Sequence, residues 1–232
     1  MIDIHSHILP GVDDGARSLK ESVEIVKELV AAGVTRIVAT PHFVDETIYT
    51  SPKSVNEKIL DEVRAAVHEA GVEVELYLGN EIYMTERLVE LIENGTVATI
   101  AGSRYVLVEL PMSGDYPNYE DIILETLNAG YKVILAHPER YTEFTIEKVE
   151  ELARMGVLMQ CEMGSLSGRY GKTARKMARE IARKRLVWKI ASDIHHPRGV
   201  EVLREDIRQW EALKCDIMGV DEGRHGAANR NL

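Results

Sequence analysis

Residues 1–33, MIDIHSHILPGVDDGARSLKESVEIVKELVAAG, hold one complete structural unit. IDIH (2–5) is a short β-branched run, and ILPGVDDG (8–15) breaks it. Ser18 then stands three residues before Glu21, the spacing of a capping box that starts a helix. Leu19, Val23, Val26 and Val30 recur along one helical face, and Gly33 supplies the stop. The unit therefore reads as strand, polar loop and amphipathic helix.

The same pattern recurs along the chain. Strand-like runs fall at 35–41, 72–78, 104–110, 131–136, 157–161 and 187–192. A second capping box, Ser54 with Glu57, predicts a helix that stops at Gly71, and further helical stretches lie at 85–94, 119–129, 145–155, 172–185 and 199–213. Seven strand-like runs in 232 residues give about 33 residues per unit, the size of a βα repeat. Strict alternation predicts an α/β fold with a parallel sheet, either open or closed into a barrel. One domain is expected to residue 215, and 216–232, ending EGRHGAANRNL, reads as a polar tail.

A formal charge of −10 argues against a general grip on nucleic acid or anionic membrane, because such binding needs clustered Lys and Arg. The opening residues lack an apolar signal core and no stretch reaches the length of a membrane span, so a cytoplasmic location without membrane insertion is expected. Cys161 and Cys215 stand alone, which excludes a disulfide framework and a Cys-rich zinc site. A phosphatase with Cys, five residues and then Arg is also excluded, since Ser167 and Asp221 occupy the Arg positions.

Metal-ligand residue types gather after the strands. His5 and His7 belong to the first, with Asp14 in the loop beyond, and His42 follows the second. Glu81 follows the third, Glu109 closes the fourth, His137 follows the fifth, and Asp193 and His195 follow the seventh. In a parallel α/β fold these carboxyl ends share one face, so five imidazoles and four carboxylates converge. His-x-His in an extended segment puts both rings on one side, where they can share an ion. A carboxyl closing the apolar run RYVLVEL is costly to bury unpaired. Mixed imidazole and carboxylate ligands without thiolate suit Mn²⁺, Fe²⁺ or Zn²⁺, and nine of them suit two or three ions. Four carboxylates leave a three-ion cluster positive enough to hold a phosphate dianion. Arg140 and Arg198 each lie three residues beyond a ligand histidine and can fork onto phosphate oxygens. His68 reads as a solvated helix residue, His225 as part of the tail, and His196 as either a substrate contact or a surface residue.

These residues, taken with IDIHSHILPGVDDG (2–15), ATPHF (39–43), GNEIY (79–83), SRYVLVELP (103–111), AHPERY (136–141), GSLSGRYGK (164–172) and ASDIHH (191–196), resemble the polymerase-and-histidinol-phosphatase (PHP) metallohydrolases. Within them the chain is most similar to the capsule and exopolysaccharide branch of manganese-dependent protein-tyrosine phosphatases. The resemblance implies a distorted single-domain barrel of seven strands and helices holding three divalent ions, Mn²⁺ first, with Fe²⁺, Zn²⁺, Co²⁺ or Mg²⁺ as alternatives. It implies one ion on His5, His7, Glu81 and Asp193, a second on Glu81, Glu109 and His137, and a third on Asp14, His42 and His195. It further implies attack on phosphorus by a metal-bridging hydroxide, with Arg140 and Arg198 steadying the phosphoryl oxygens. The implied partner is the phosphorylated tail of a bacterial tyrosine kinase that governs polysaccharide assembly. The rival readings are a small-molecule phosphatase of the histidinol-phosphate type, a metal-dependent docking module without catalysis, and a nuclease, which the acidic charge disfavours.

Overall fold

The first unit forms β1 (Ile2–Ser6) and α1 (Leu19–Ala31). The computed structural model describes residues 1–114 and 116–218, the last three by backbone alone. Ser18 is extended, and its hydroxyl accepts from the Glu21 N–H at 3.3 Å. The Glu21 carboxylate accepts from the Arg17 N–H rather than that of Ser18, so the predicted box closes one residue early. α1 buries Ser22, Ile25, Val26 and Leu29, while Leu19 stays exposed, which turns the buried stripe slightly from the predicted one.

The second capping box does not form. α2 (Lys53–Glu69) starts at Pro52, which offers no side-chain cap, and Ser54 lies exposed in the first turn. The Lys53 N–H instead donates to the Thr96 carbonyl at 2.8 Å, so a tertiary contact satisfies a helix end that the local motif would otherwise cap.

The remaining elements are β2 (Arg36–Ala39), β3 (His42–Phe43), β4 (Glu75–Leu78), β5 (Glu81–Tyr83), α3 (Leu88–Glu93), β6 (Tyr105–Glu109), α4 (Tyr119–Asn128), β7 (Lys132–Ala136), α5 (Ile146–Met155), β8 (Leu158–Glu162), α6 (Gly171–Arg183), β9 (Val187–Ala191) and α7 (Val200–Met218). Each of the seven strand-like runs contains a strand. β3 and β5 are additional, and too short to show a period of two in the sequence. The result is a mixed α/β fold with two parallel sheets, ordered β1-β2-β4 and β3-β5-β6-β7-β8-β9. α7 continues past residue 215, and 219–232 of the expected tail, His225 among them, lie outside the described residues.

The two sheets meet on both sides. Between β2 and β3, and again between β4 and β5, the chain continues forward: the Gly79 N–H donates to Ala39 and the Glu81 N–H to Pro41. A Cβ on Gly79 would stand 2.8 Å from Ile100 Cδ1 and 3.2 Å from Thr40 Cγ2, so glycine fits here without displacing side chains. On the other side Ser6 bridges Ile194 in parallel, the Asp193 N–H donates to the His5 carbonyl and the His7 N–H donates to that of Ile194.

The packing follows this layout. One apolar cluster joins β5–β9 to α3–α6, and another lies beneath α1 and α2. A third gathers Ile4, Val38, Leu107, Ile134, Ala136 and Ala191 from strands of both sheets. Among the described residues no helix is long and apolar enough to cross a membrane. The difference between the two caps is measurable: Ser18→Ala is expected to lower unfolding free energy by ~1 kcal/mol, and Ser54→Ala to change it by less than ~0.5 kcal/mol, in urea titrations.

Candidate metal centre

Alternation along β1 sends His5 and, just beyond its end, His7 toward the same place, and both rings are fully buried. β3 brings His42, β5 opens with Glu81, and β6 closes with Glu109. His137 directly follows β7, and Asp193 and His195 follow β9. His137 and Asp193 both adopt positive φ, 35° and 46°, a left-handed backbone that non-glycine residues rarely hold. That turn aims each side chain back over the strand ends.

All nine candidate ligands come together. His5, His7, Glu81 and Asp193 offer atoms within 4.8 Å of one another, as do His7, Asp14, His42 and His195, and again His42, Glu81 and Glu109. His137 Nε2 lies 3.0 Å from Glu81 Oε1 and 3.6 Å from Glu109 Oε1. Glu81 is thus the shared corner.

The ring orientations are fixed from behind. His7 Nδ1 pairs with Asp13 Oδ2 at 2.7 Å, which turns Nε2 toward His5 and Asp193. Asp13 also accepts from the N–H groups of Gly15 and His42, so one carboxylate sets two candidate ligands. Gly15 is required there, since a Cβ would fall 2.3 Å from the His7 carbonyl oxygen. His5 Nδ1 faces Gln160 Oε1 at 2.8 Å. Asp3, buried behind His5, accepts from both the N–H and the hydroxyl of Ser192, which ties β1 to the segment that carries Asp193.

The inner atoms are electron-rich and close. His5 Nε2 and His7 Nε2 are 3.2 Å apart, and Asp193 Oδ1 is 3.2 Å from each. Buried His42 Nδ1, His137 Nδ1, Glu81 Oε2 and Asp193 Oδ1 make no hydrogen bond. Such groups are costly to bury without a positive species among them, and divalent cations fit that requirement.

The titration behaviour follows from the same crowding. Burial opposes charge on His5, yet Glu81 and Asp193 outweigh it and hold the ring up to about 9. His7 rises well above its ordinary value, since its hydrogen bond to Asp13 and the nearby carboxylates of Asp193 and Glu81 overcome its burial. Glu81 and Asp193 fall well below theirs against their own burial, held down chiefly by His5. Asp14, facing His195 at 3.4 Å, is held down to about 2. Glu109 moves up, through burial first and then the nearby Glu81.

Arg140 and Arg198 reach the same rim. Arg140 Nη1 donates to Glu162 Oε1 at 2.5 Å and to Asp193 Oδ2 at 3.2 Å. Arg198 donates to the carbonyls of Ser192 and Asp193 at 2.8 and 2.7 Å, and to the Tyr170 hydroxyl at 3.3 Å. The Tyr170 ring lies 4.7 Å beneath the Arg140 guanidinium. Glu162 is a residue the sequence reading missed. It is fully buried, stands beside His137 and Asp193, and is pushed well up by burial and then by Asp193. Its signal was available, since it is a carboxylate at the carboxyl end of a strand, one residue beyond the predicted run. His196 is bonded to Glu21 of α1 at 2.8 Å, and His68 is exposed on α2.

Residues 1–201 match the family described as capsular polysaccharide synthesis, CpsB/CapC. The chain belongs to this family. It is 36% identical to CapC of Staphylococcus aureus over 198 residues, covering 84% of this chain and 77% of that protein. It is 34% identical to the tyrosine-protein phosphatase CpsB of Streptococcus pneumoniae over 203 residues, covering 84% and 83%. Among solved structures, it superimposes with a TM-score of 0.85 on one from the crystal structures of YwqE from Bacillus subtilis and CpsB from Streptococcus pneumoniae, unique metal-dependent tyrosine phosphatases. That match covers 97% of this chain and 88% of the other at 24% identity, and so speaks for the fold of this CpsB/CapC member.

A cation entering among His5, His7, Glu81 and Asp193 must displace the proton that the carboxylates hold on His5. Because His5 and His7 both hold their protons above the ordinary histidine range, affinity for Mn²⁺ is expected to weaken as pH falls through the range where these rings protonate. Calorimetry in buffers of differing ionisation enthalpy would read the released protons.

Proposed function

We propose that this CpsB/CapC protein is a metal-dependent protein-tyrosine phosphatase. The observation that carries the reading is the set of nine imidazole and carboxylate side chains gathered at Glu81, four of which, His42, Glu81, His137 and Asp193, bury a polar atom without a hydrogen-bond partner. The tyrosine-phosphatase name of the pneumococcal relative supports the substrate class. We read the two sheets as one closed, distorted seven-stranded barrel, in which β2–β3 and β4–β5 are interrupted single strands and the Ser6–Ile194 bridge joins the ends.

His5, His7, Glu81 and Asp193 would hold one ion, Glu81, Glu109 and His137 a second, and Asp14, His42 and His195 a third. Manganese is the first choice, and Fe²⁺, Zn²⁺, Co²⁺ and Mg²⁺ suit parts of the same donor set. When bound, such ions supply an activated water at neutral pH and Lewis-acid polarisation of phosphoryl oxygens.

The remaining work falls to side chains already in place. Arg140 and Arg198 offer N–H groups to the phosphoryl oxygens. Glu162 and Asp193 hold the first, backbone carbonyls hold the second, and Tyr170 packs under the first and bonds the second. Little side-chain freedom is then lost when substrate arrives. A tyrosine leaving group, with a pKa near ~10, departs with less proton assistance than an alkoxide. The substrate we infer is the phosphorylated tail of a bacterial tyrosine kinase in capsule assembly, met in the cytoplasm.

The decisive test strips the protein with chelator and follows phosphate release from a phosphotyrosine peptide with and without Mn²⁺, beside histidinol phosphate. Restoration by metal, its loss in His7→Ala, and preference for the peptide are expected; a metal-loaded protein that prefers histidinol phosphate would overturn the substrate assignment. Arg140→Lys is expected to lower kcat/KM by about 10²-fold with metal content unchanged by atomic absorption, because a lysine cannot reproduce the fork.

A further inference from the structure

The outer surface of α6 is unlike that of the other long helices. Residues 172–185 carry seven cations, Lys172, Arg175, Lys176, Arg179, Arg183, Lys184 and Arg185, against the single acid Glu180. α1, α2, α5 and α7 mix both signs along their lengths, the usual pattern of a solvated face, and α4 carries acids alone. In a chain of net charge −10, a helix of one sign is a local reversal of the protein's field.

The charges are ordered as well as numerous. Lys172, Lys176, Arg179 and Arg183 are spaced i, i+4, i+7, i+11, which at 100° per residue confines them to a sector of about 60°. All four are exposed, and the buried Ala174, Ala178 and Ile181 lie on the opposite side. Among the described residues Lys176 approaches Glu180 at 3.9 Å, and no carboxylate comes within 4.0 Å of the other three. Lys184, off the stripe, is paired with Glu150.

The stripe begins two positions after a residue that contacts both arginines of the rim. Tyr170, the residue before α6, lies under Arg140 and bonds Arg198, and Lys172 follows two positions later. From Lys172 to Arg183 the helix rises about 16 Å, the span of roughly five residues of extended peptide.

We propose that this face of α6 is a docking ledge for an acidic stretch of substrate polypeptide flanking the phosphotyrosine. The proposal rests on the phosphatase reading above and deepens it by naming the substrate's flanking chemistry. Charge complementarity selects the occupant, since carboxylates along an extended peptide meet four unneutralised or weakly paired cations. Continuity with the arginine rim selects its position. A phosphorylated small molecule would gain nothing from the ledge.

The test compares three substrates: p-nitrophenyl phosphate, a phosphotyrosine peptide flanked by Asp and Glu, and the same peptide flanked by Ser and Gly. The variants are Lys176→Glu/Arg179→Glu/Arg183→Glu and the matching triple substitution to Gln, none of which touches the metal centre or its arginines. Expected is a KM for the acidic peptide raised about tenfold by the Glu variant and less by the Gln variant, with kcat held. Turnover of the other two substrates stays unchanged, which also certifies folding. The difference should vanish near ~1 M salt, where the screening length is about 3 Å. Equal effects on acidic and neutral peptides, or none, would overturn the ledge while leaving the phosphatase reading intact. Failure of the wild type to cleave either peptide would overturn both. Loss of binding to vesicles of equal phosphatidylcholine and phosphatidylserine, with peptide KM unmoved, would assign the stripe to membrane contact instead and likewise overturn the proposal.

Discussion

Two buried imidazole nitrogens held 3.2 Å apart, with a carboxylate oxygen 3.2 Å from both, form the constraint around which this protein is built. Their lone pairs repel unless something positive lies among them. In the cation-free protein that something is a proton, which is why His5 and His7 stay charged against complete burial. The same demand reaches His42 and His137 through Glu81, so the donor set behaves as one electrostatic unit.

Maintaining that unit requires rigid support, and the support is polar throughout. Asp13 holds His7 and the backbone of His42, while Asp3 binds Ser192 behind the site. The strained turns at His137 and Asp193 are tolerated because hydrogen bonds on either side leave no relaxed alternative: the Asp193 N–H is fixed to His5, and the His137 carbonyl accepts from Arg140. Around this centre the apolar clusters supply the packing that keeps the strands in register.

Much of this was legible in the sequence because it repeats. Strand runs separated by about 33 residues announced the parallel α/β layout, and residues such as His137 and Asp193 were visible as ligand types just beyond apolar runs. Other features were invisible for identifiable reasons. β3 and β5 are too short to carry a period, and the start of α2 is set by a carbonyl from Thr96, remote in sequence. Glu162 was lost to a strand boundary placed one residue early. Asp13 was overshadowed by Asp14, since only the folded loop distinguishes the carboxylate that orients His7 from the one that faces His42 and His195.

The seam between β1 and the Ser192–His195 segment has a consequence for how the protein comes into being. Asp3 meets Ser192 and Ser6 meets Ile194, contacts that span almost the whole described chain. Contacts of such separation form late, after shorter loops have closed. A nascent chain still lacking Asp193 therefore holds His5 and His7 without the carboxylate that stands 3.2 Å from both, so this cluster closes only after residue 193 has been made.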